Sequence, residues 1–263
     1  MLRLLAMLAL TGATFACAEP NDAVAASPDS EPAPAVKAER LDVVDRAIAL
    51  HGGDRVSDAE ISLTISSKSG SFDVETRRDG ESFEHRIIEV KDGVERVHRQ
   101  TNSELTLTED GENVEISEDE SARRLSYVNQ RMYFLFLPYK LNDPGVFKED
   151  LGLETWDGRA LQKVRVSFQP ESSAGASSEY MYWFDPETSR LEQFAYDYSG
   201  GTGLRFRRLF NYREVGGVLF YDAENYGLNE KSGDLSVNLV TPEYAADELP
   251  LVSTITLSAI EVN

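Results

Sequence analysis

The segment Arg131–Phe147, RMYFLFLPYKLNDPGVF, is the most informative part of the sequence for the fold. It contains an unbroken apolar run, Tyr133–Leu137, within a strongly acidic chain. Upstream, Ser117 followed by acidic residues is typical of a helix start, and Pro138 should stop the helix or force an extended exit. The apolar positions between them repeat at helical spacing: Leu125, Val128, Met132 and Leu135. This run is too short for a membrane-spanning helix, which needs ~20 apolar residues. The pattern predicts a helix inserted between two groups of strands, with a wide apolar side that something large must cover.

Strands are predicted on both sides of this helix. Alternating polar and apolar residues begin after Ala59, and hairpin turns are indicated at Asp110-Gly111, Asp157-Gly158 and Gly216-Gly217. Leu235–Val240 and Val252–Val262 are further strand candidates. We count about ten to twelve strands joined by short loops, which make antiparallel meanders rather than parallel crossovers.

A first helix is predicted in ERLDVVDRAIALHGGD, ending at Gly52 and Gly53. A long antiparallel sheet curls, so its concave side needs covers, and the two helices are available for this. The predicted fold is mainly β with a few helices (α+β): a curved antiparallel half-barrel with helices on its concave face. We expect the interior to be lined by eight apolar residues: Tyr133, Phe134, Phe136, Leu137, Tyr139, Trp183, Phe206 and Phe210.

The N-terminal segment MLRLLAMLALTGATFAC has the layout of a secretory signal, with Cys17 at the expected cleavage point. We predict a signal peptide at 1–16, lipidation of Cys17, a disordered tether at 17–39 and one domain at 40–263. The tether is rich in Ala, Pro, Ser and acids and has little to bury. Ordinary cleavage near Ala16 or Ala18 is the alternative. A lipidated chain would face the periplasm from a membrane anchor, with the outer membrane favoured.

Charge and motifs exclude several function classes. The chain has 26 basic and 46 acidic residues and a net charge of −20, which argues against nucleic-acid binding. No G-x-S-x-G elbow is present, the sole cysteine is Cys17, and His51, His85 and His98 have no metal-ligand spacing. Surface positions are the favoured interpretation of His85 and His98. We therefore expect no enzyme activity, no metal and no cofactor, and a monomer.

Three stretches resemble the LolA-like lipoprotein-carrier superfamily: AIALHGGD, AEISLTISS and the hairpin YWFDPETSRLEQF. The resemblance covers about residues 41–230 and suggests an uncharacterised bacterial lipoprotein family within that superfamily. It implies a half-barrel closed by helices over an apolar cavity that binds acyl chains or a lipidated peptide. LolA carriers lack a lipid anchor, whereas the predicted anchor at Cys17 is a feature of LolB.

Aromatic and arginine residues carry the remaining signal. Residues 180–184 are apolar on both faces of their strand, so this strand is covered on both sides or lines a cavity. Phe206, Phe210 and Tyr212 are predicted to share one face, and Arg205, Arg207 and Arg213 the other. These arginines either pair with acids on a neighbouring strand or bind an anionic head group.

Two functions follow from the sequence. The first is a membrane-anchored module that binds an apolar ligand, such as a lipid or acyl chain, inside the half-barrel. The alternative is a structural or partner-binding protein of the cell envelope with a filled core and no ligand. A continuous apolar cavity distinguishes the first function from the second.

Overall fold

Thirteen antiparallel strands form one open sheet in the computed structural model of the chain. The structure describes residues 34–79, 81–168, 179–198, 202–231 and 235–263. The predicted signal peptide and Cys17 lie outside the described residues, as does the predicted tether up to residue 33. Helix α1 begins at Pro34, six residues before the domain boundary that the sequence predicts.

The strands have the following bounds: β1 Ile61–Ser67, β2 Gly70–Asp79, β3 Ser82–Lys91, β4 Val94–Thr101, β5 Leu105–Glu109, β6 Glu112–Asn113, β7 Val146–Trp156, β8 Arg159–Phe168, β9 Glu179–Phe184, β10 Leu191–Tyr198, β11 Gly203–Val215, β12 Val218–Leu228 and β13 Leu251–Val262. The helices are α1 Pro34–Leu50, α2 Asp54–Asp58, α3 Glu118–Leu135 and α4 Pro242–Glu248, with short 3-10 helices at Tyr139–Asn142 and Val237–Leu239. Within the described ranges, no helix combines the length and the apolar character needed to cross a bilayer.

The strand order is β6-β5-β4-β3-β2-β1-β13-β12-β11-β10-β9-β8-β7. Neighbours in this sheet are consecutive in sequence except at one place, where β13 pairs with β1 as well as with β12. The sheet has edges at β6 and β7, and helix α3 occurs in the connection between these two strands. The predicted antiparallel half-barrel with an inserted helix is confirmed. The strand count exceeds the expected range because the two-residue β6 pairs with β5.

Aspartate-glycine pairs form the tight turns that the sequence predicts. Asp110 and Gly111 have φ values of 46° and 83°, and Asp157 and Gly158 have values of 47° and 72°. Two successive residues with positive φ give the backbone twist that joins neighbouring antiparallel strands. These local turns set the register of β5 with β6 and of β7 with β8.

Helices α1 and α3 cover the same face of the sheet, which we call the inner face. Val44 and Ile48 of α1 pack on the half of the sheet that contains β8–β10. Val128 and Met132 of α3 pack on β1–β3, where Ile61, Val74 and Ile87 are buried. The prediction that two helices cover the concave side is therefore confirmed.

The opposite, outer face carries a third cover, which the sequence analysis interpreted wrongly. The predicted strand Leu235–Val240 is a 3-10 helix, and α4 follows it. Thr241 caps α4 by accepting a hydrogen bond from the Tyr244 N–H, at 3.0 Å, and Pro242 occupies its first turn. These are ordinary helix-start signals that outweigh the short apolar run before them. Val237, Val240 and Leu249 pack on Trp183 and Phe206.

A bulge in β11 corrects a second prediction. The register with β12 shifts between Phe210 and Arg213, and Asn211 has a φ of 52°. The extra residue sends Tyr212 to the inner face, whereas Phe206 lies on the outer face. The predicted grouping of Phe206, Phe210 and Tyr212 on one face is therefore wrong, because it assumed uninterrupted alternation along the strand.

Candidate functional site

Helix α3 forms the lid of the candidate site, and its ends follow from the sequence. Ser117 caps the helix by accepting a hydrogen bond from the Glu120 N–H at 3.3 Å, as predicted. The first turn carries Glu118, Asp119 and Glu120, whose negative charges interact favourably with the positive end of the helix dipole. The helix ends at Leu135, before Pro138.

The C-terminal end of α3 docks on a cluster of aromatic rings. The Tyr133 hydroxyl lies 2.6 Å from the Tyr182 hydroxyl, and both residues are buried. Phe134 stacks on Phe194 with ring centres 5.7 Å apart and lies 5.0 Å from the ring of Tyr196. Such ring pairs add about 0.5–1.5 kcal/mol each beyond the apolar area they bury. The cluster therefore holds one end of the lid firmly on β9 and β10.

Polar contacts hold the middle of α3 on β3 and β4. Glu89 accepts hydrogen bonds from the Tyr127 hydroxyl at 2.9 Å and from His98 Nε2 at 3.1 Å. Burial alone would raise the pKa of Glu89, but these two hydrogen bonds lower it overall. Burial also lowers the pKa of His98, so a neutral ring that donates to a charged Glu89 accounts for the contact.

A cavity of about 590 Å³ lies between α3 and the inner face of the sheet. We call it the lid cavity. Its walls come from α3 and from seven strands, β1, β2 and β9–β13. The apolar part of the lining includes Ile65, Phe72, Phe134, Leu135, Tyr180 and Ile255. This volume falls within the ~300–1,000 Å³ of small-molecule binding sites, and the mixture of aliphatic and aromatic walls suits an apolar ligand.

Basic residues outnumber acidic residues in the described lining of the lid cavity, whereas acidic residues outnumber basic ones in the whole chain. Among the described residues, the lining of the cavity contains Lys68, Arg131, Arg205 and Arg207 but one acidic residue, Asp197. Asp197 is already paired with Lys231, at 3.0 Å. In a chain with a net charge of −20, a basic interior is a local arrangement that the overall composition does not predict.

The guanidinium groups of Arg131 and Arg207 are held by aromatic rings. The Arg131 guanidinium carbon lies 3.3 Å from the ring centre of Tyr127, and that of Arg207 lies 4.1 Å from the ring centre of Phe134. Each also donates a hydrogen bond, Arg131 to the Tyr127 carbonyl and Arg207 to the Tyr196 hydroxyl. In the described part of the chain, neither arginine forms an ion pair, and both Nε atoms are buried without an acceptor.

Arg205 differs from these two arginines. Its guanidinium donates hydrogen bonds to the carbonyls of Leu204 and Leu228 and to Asn229 Oδ1 at 2.8–2.9 Å. Arg213, beyond the bulge, pairs with Asp222 at 2.9 Å. Of the three arginines that the sequence offered for an anionic head group, Arg213 therefore has the ordinary structural partner, and Arg207 lines the cavity without an ion pair to any described residue.

A second cavity, of about 910 Å³, lies on the other side of α3. We call it the edge cavity. It is bounded by β3–β5, α3 and the start of β7, and much of its lining is polar, as at Asn102, Ser103, Asn129 and Lys140. Tyr133 and Phe168 form part of its wall. Its polar walls suit an apolar ligand less well than those of the lid cavity.

The predicted cavity residues are distributed over several environments. Phe134 lines the lid cavity and Tyr133 the edge cavity. Leu137 and Phe136 are buried in the packed clusters beneath α1 and α3, and Tyr139 is partly buried against both clusters. Trp183 and Phe206 lie on the outer face under α4, and Phe210 is exposed. These last three point away from the lid cavity because successive strand residues face opposite sides of the sheet.

Sequence reasoning missed most of the residues that line the lid cavity. Arg131, Ile65, Ala223 and Ile255 were not singled out, although Arg131 lies within the segment that opened the sequence analysis. The alternation in β1 and β13 places Ile65 and Ile255 on an apolar face but does not reveal which apolar residues border empty space. Of these four residues, only Arg131 could have been identified from the sequence, because a basic residue on the apolar side of a predicted lid helix is unusual.

All three histidines are buried, which corrects the expected surface positions of His85 and His98. His85 Nδ1 lies 2.6 Å from the Thr76 hydroxyl, and burial lowers the pKa of His85 to about 3. His51 lies between the rings of Tyr212 and Tyr221, with ring centres 6.4 and 5.9 Å away. Burial lowers the pKa of His51 to about 4, and Arg190 adds to this effect while a backbone group of Leu219 opposes it.

These histidines do not converge on a shared site. Among the residues that the structure describes, no group of three or more His, Cys, Asp or Glu side chains is placed to hold a metal ion. His85 and His98 lie on adjacent strands, but each faces its own partners, Thr76 and Glu89. We assign them structural roles beneath α3.

Comparison with known proteins gives a family and a fold. One sequence family, described as a family of unknown function (DUF6503), matches residues 44–255. No protein with a curated description matches the sequence significantly. A LolA superfamily protein from Nitrosomonas europaea has a similar structure, with a TM-score of 0.51 and 10% identity over 85% of this chain and 93% of that chain. At this identity the similarity establishes the fold, which is LolA-like.

A further solved structure is more distant. A DUF1329 family protein from Desulfovibrio piger has a TM-score of 0.46 and 11% identity, over 87% of this chain and 93% of that chain. The LolA-like fold that the sequence predicts is confirmed by the similarity to the Nitrosomonas europaea protein.

Proposed function

Because this chain belongs to the DUF6503 family, whose function is unknown, we propose its function from the lid cavity: it binds an apolar ligand, a lipid or acyl chain, beneath α3. The observation that carries this proposal is a continuous cavity of about 590 Å³ with aromatic and aliphatic walls inside a LolA-like half-barrel. Empty apolar space forfeits packing interactions that a filled core would gain. A chain that fits into the cavity recovers these contacts.

Contacts around the cavity also favour a lid that can admit a ligand. Gln130, Arg131, Phe134 and Leu135 place one side of α3 against the cavity. The helix is held at its end by the aromatic cluster and in its middle by the Glu89 contacts. A ligand that enters beneath α3 would keep these anchors and displace few packed side chains.

We further propose that the domain works at the cell envelope as a lipoprotein attached through Cys17, facing the periplasm. Support comes from the signal-like N-terminal sequence and the position of Cys17 within it. An anchored domain would take up its ligand from the same membrane or from a neighbouring one. Mass spectrometry of the mature N-terminus tests the anchor, and Cys17→Ala should move the protein from the membrane fraction to the soluble fraction.

The binding proposal is tested with an uncharged probe, the methyl ester of a dansylated undecanoic acid, whose fluorescence rises in an apolar site. Ala223 lines the cavity from β12, so Ala223→Phe should fill the space and abolish the fluorescence rise. Ala160, exposed on β8, provides the matched control, because Ala160→Phe adds the same side chain away from the cavity.

Two outcomes decide between the proposed functions. Saturable binding by the wild-type protein that Ala223→Phe loses and Ala160→Phe keeps supports a ligand cavity. No binding by the wild-type protein, together with no lipid in native mass spectra of protein extracted gently from membranes, contradicts it. That result would favour the structural or partner-binding alternative.

A further inference from the structure

The lid cavity contains two arginines that form no ion pair with the described residues. Arg131 projects from α3 and Arg207 from β11, and both line the same cavity. They are close enough to influence each other, because the charge of Arg207 contributes to lowering the pKa of Arg131, after burial as the main cause. Two like charges in a partly buried space repel each other, and an anion between or beside them would offset this repulsion.

Their neighbours position the guanidinium groups without neutralising them. The ring of Phe134 lies under Arg207, and that of Tyr127 under Arg131. Ring contacts of this kind fix the plane of a guanidinium and leave its edge able to donate hydrogen bonds. The buried Nε of each arginine has no acceptor among the described residues, and an unpaired buried donor is costly.

The neighbours of Arg131 and Arg207 argue against an ordinary structural role for these arginines as ion-pair partners. Most arginines on the sheet do have such partners, as in the pairs of Arg99 with Glu84 and Arg165 with Glu149 at 2.6 Å. Glu89 interacts with Arg131 electrostatically, but its two oxygens accept hydrogen bonds from His98 and Tyr127. Asp197, the acidic residue in the lining, is engaged by Lys231.

We propose that Arg131 and Arg207 form an anion-binding subsite in the lid cavity, which takes a phosphate or carboxylate group. The fork of N–H donors in a guanidinium matches both groups, and such charge-assisted hydrogen bonds are roughly twice as strong as neutral ones. This inference rests on the proposed function in so far as the anion is the head group of an apolar ligand. The ligand is then an anionic amphiphile whose chain lies against Phe72, Leu135 and Ile255.

The experiment compares two probes that differ in one charge. Dansylated undecanoic acid and its methyl ester have the same chain and the same fluorophore, so their difference in affinity reports the carboxylate alone. We expect the wild-type protein to bind the acid about tenfold more tightly than the ester, although the net charge of −20 opposes this preference. The double variant R131Q/R207Q should bind both probes with similar affinity.

A matched control removes two arginines elsewhere. Arg123 and Arg165 are surface residues paired with Glu120 and Glu149, so R123Q/R165Q changes the net charge equally and leaves the lid cavity intact. This control should keep the preference for the acid. Equal binding of acid and ester by the wild-type protein, or a preference that survives in R131Q/R207Q, would overturn the proposal. If the double variant does not fold, equal binding of acid and ester by the wild-type protein still overturns the proposal, and the single variants R131Q and R207Q test the assignment to these two residues.

Inorganic phosphate distinguishes a free anion from a head group. Millimolar phosphate that raises the thermal midpoint of the wild-type protein and not that of R131Q/R207Q shows a subsite that also accepts the free ion. A preference for the acid without a phosphate effect assigns the subsite to a head group. If neither dansyl probe binds, the proposed function fails, and phosphate alone decides the subsite: a midpoint rise lost in R131Q/R207Q supports it, and no rise contradicts it.

Discussion

The half of the sheet around β8–β11 is packed on both faces, whereas the half around β1–β5 has packed residues on its inner face and ion pairs on the other. Tyr182 and Trp183 are consecutive and fully buried, one beneath α1 and one beneath α4. On the other half, Glu75 pairs with Arg86 and Glu109 with Arg96 at partly exposed positions. We call the half that is packed on both faces the platform; the other half holds the middle of α3 through the contact of Tyr127 with Glu89.

This difference shows how one sheet can combine stability with a binding site. The platform buries large aromatic side chains beneath α1 on one face and α4 on the other, and burial of such apolar area stabilises the fold. The lid half can then leave apolar space unfilled without unfolding the domain. The lid cavity lies at the boundary, with the platform residues Tyr180 and Tyr196 on one side and Ile65 and Phe72 on the other.

The largest predicted effect is the loss of stability in the platform. Trp183→Ala removes a fully buried side chain that also donates a hydrogen bond to Glu154 at 3.2 Å. We expect the free energy of unfolding to fall by about 3–5 kcal/mol in urea denaturation. Leu153 is exposed nearby, and Leu153→Ala should change it by less than about 0.5 kcal/mol. A cost below about 1 kcal/mol for Trp183→Ala would mean that α4 does not seal the outer face.

The second-largest predicted effect is a decrease in the free energy of unfolding at low pH, caused by the buried His51. Because His51 has a pKa of about 4 in the folded protein and 6.5 when unfolded, the unfolded state binds more protons between these values. The free energy of unfolding should therefore decrease as the pH falls from 6.5 toward 4, by at most about 3 kcal/mol from this residue. His85, with a pKa of about 3, contributes in the same direction.

The variant His51→Phe isolates this contribution. Phenylalanine keeps a ring between Tyr212 and Tyr221 and removes two nitrogens that have no hydrogen-bond partner among the described residues. We expect a shallower decrease in stability between pH 6.5 and 4 than in the wild-type protein, measured by denaturation at several pH values. Identical pH profiles for the two proteins would show that His51 becomes protonated without cost.

The smallest predicted effect tests whether α3 opens independently of the platform strands β9 and β10. Ser117→Ala removes the cap of α3 and should cost about 1 kcal/mol. Hydrogen exchange should become faster for the amides of α3 and remain unchanged in β9 and β10, because the lid opens as a local unit. Ser126→Ala, at an exposed position within the same helix, is the control and should not accelerate exchange. Equal acceleration in β9 would indicate that lid and platform unfold together.

The sequence by itself determined the fold class and the order of elements up to β12, but not the 3-10 helix and α4 that follow. Ser117 and Pro138 mark the bounds of α3, the Asp-Gly pairs mark the hairpins, and the alternation in Ile61, Leu63 and Ile65 marks an inner face. These features depend on interactions within a few residues, such as caps, turns and the two-residue period of a strand. Predictions based on them were confirmed for α3, for the two Asp-Gly hairpins and for β1, but the two-residue period failed in β11, where the bulge at Asn211 interrupts it.

Only the tertiary structure decided which apolar residues border empty space. The bulge at Asn211 separated Tyr212 from Phe206, and α4 covered Trp183, which the sequence had assigned to the cavity. The lining joins α3 to strands as distant in sequence as β1 and β13, and it brings Arg131 beside Arg207. Such a set depends on strand curvature and on contacts between residues far apart in the chain, which local periodicity does not encode.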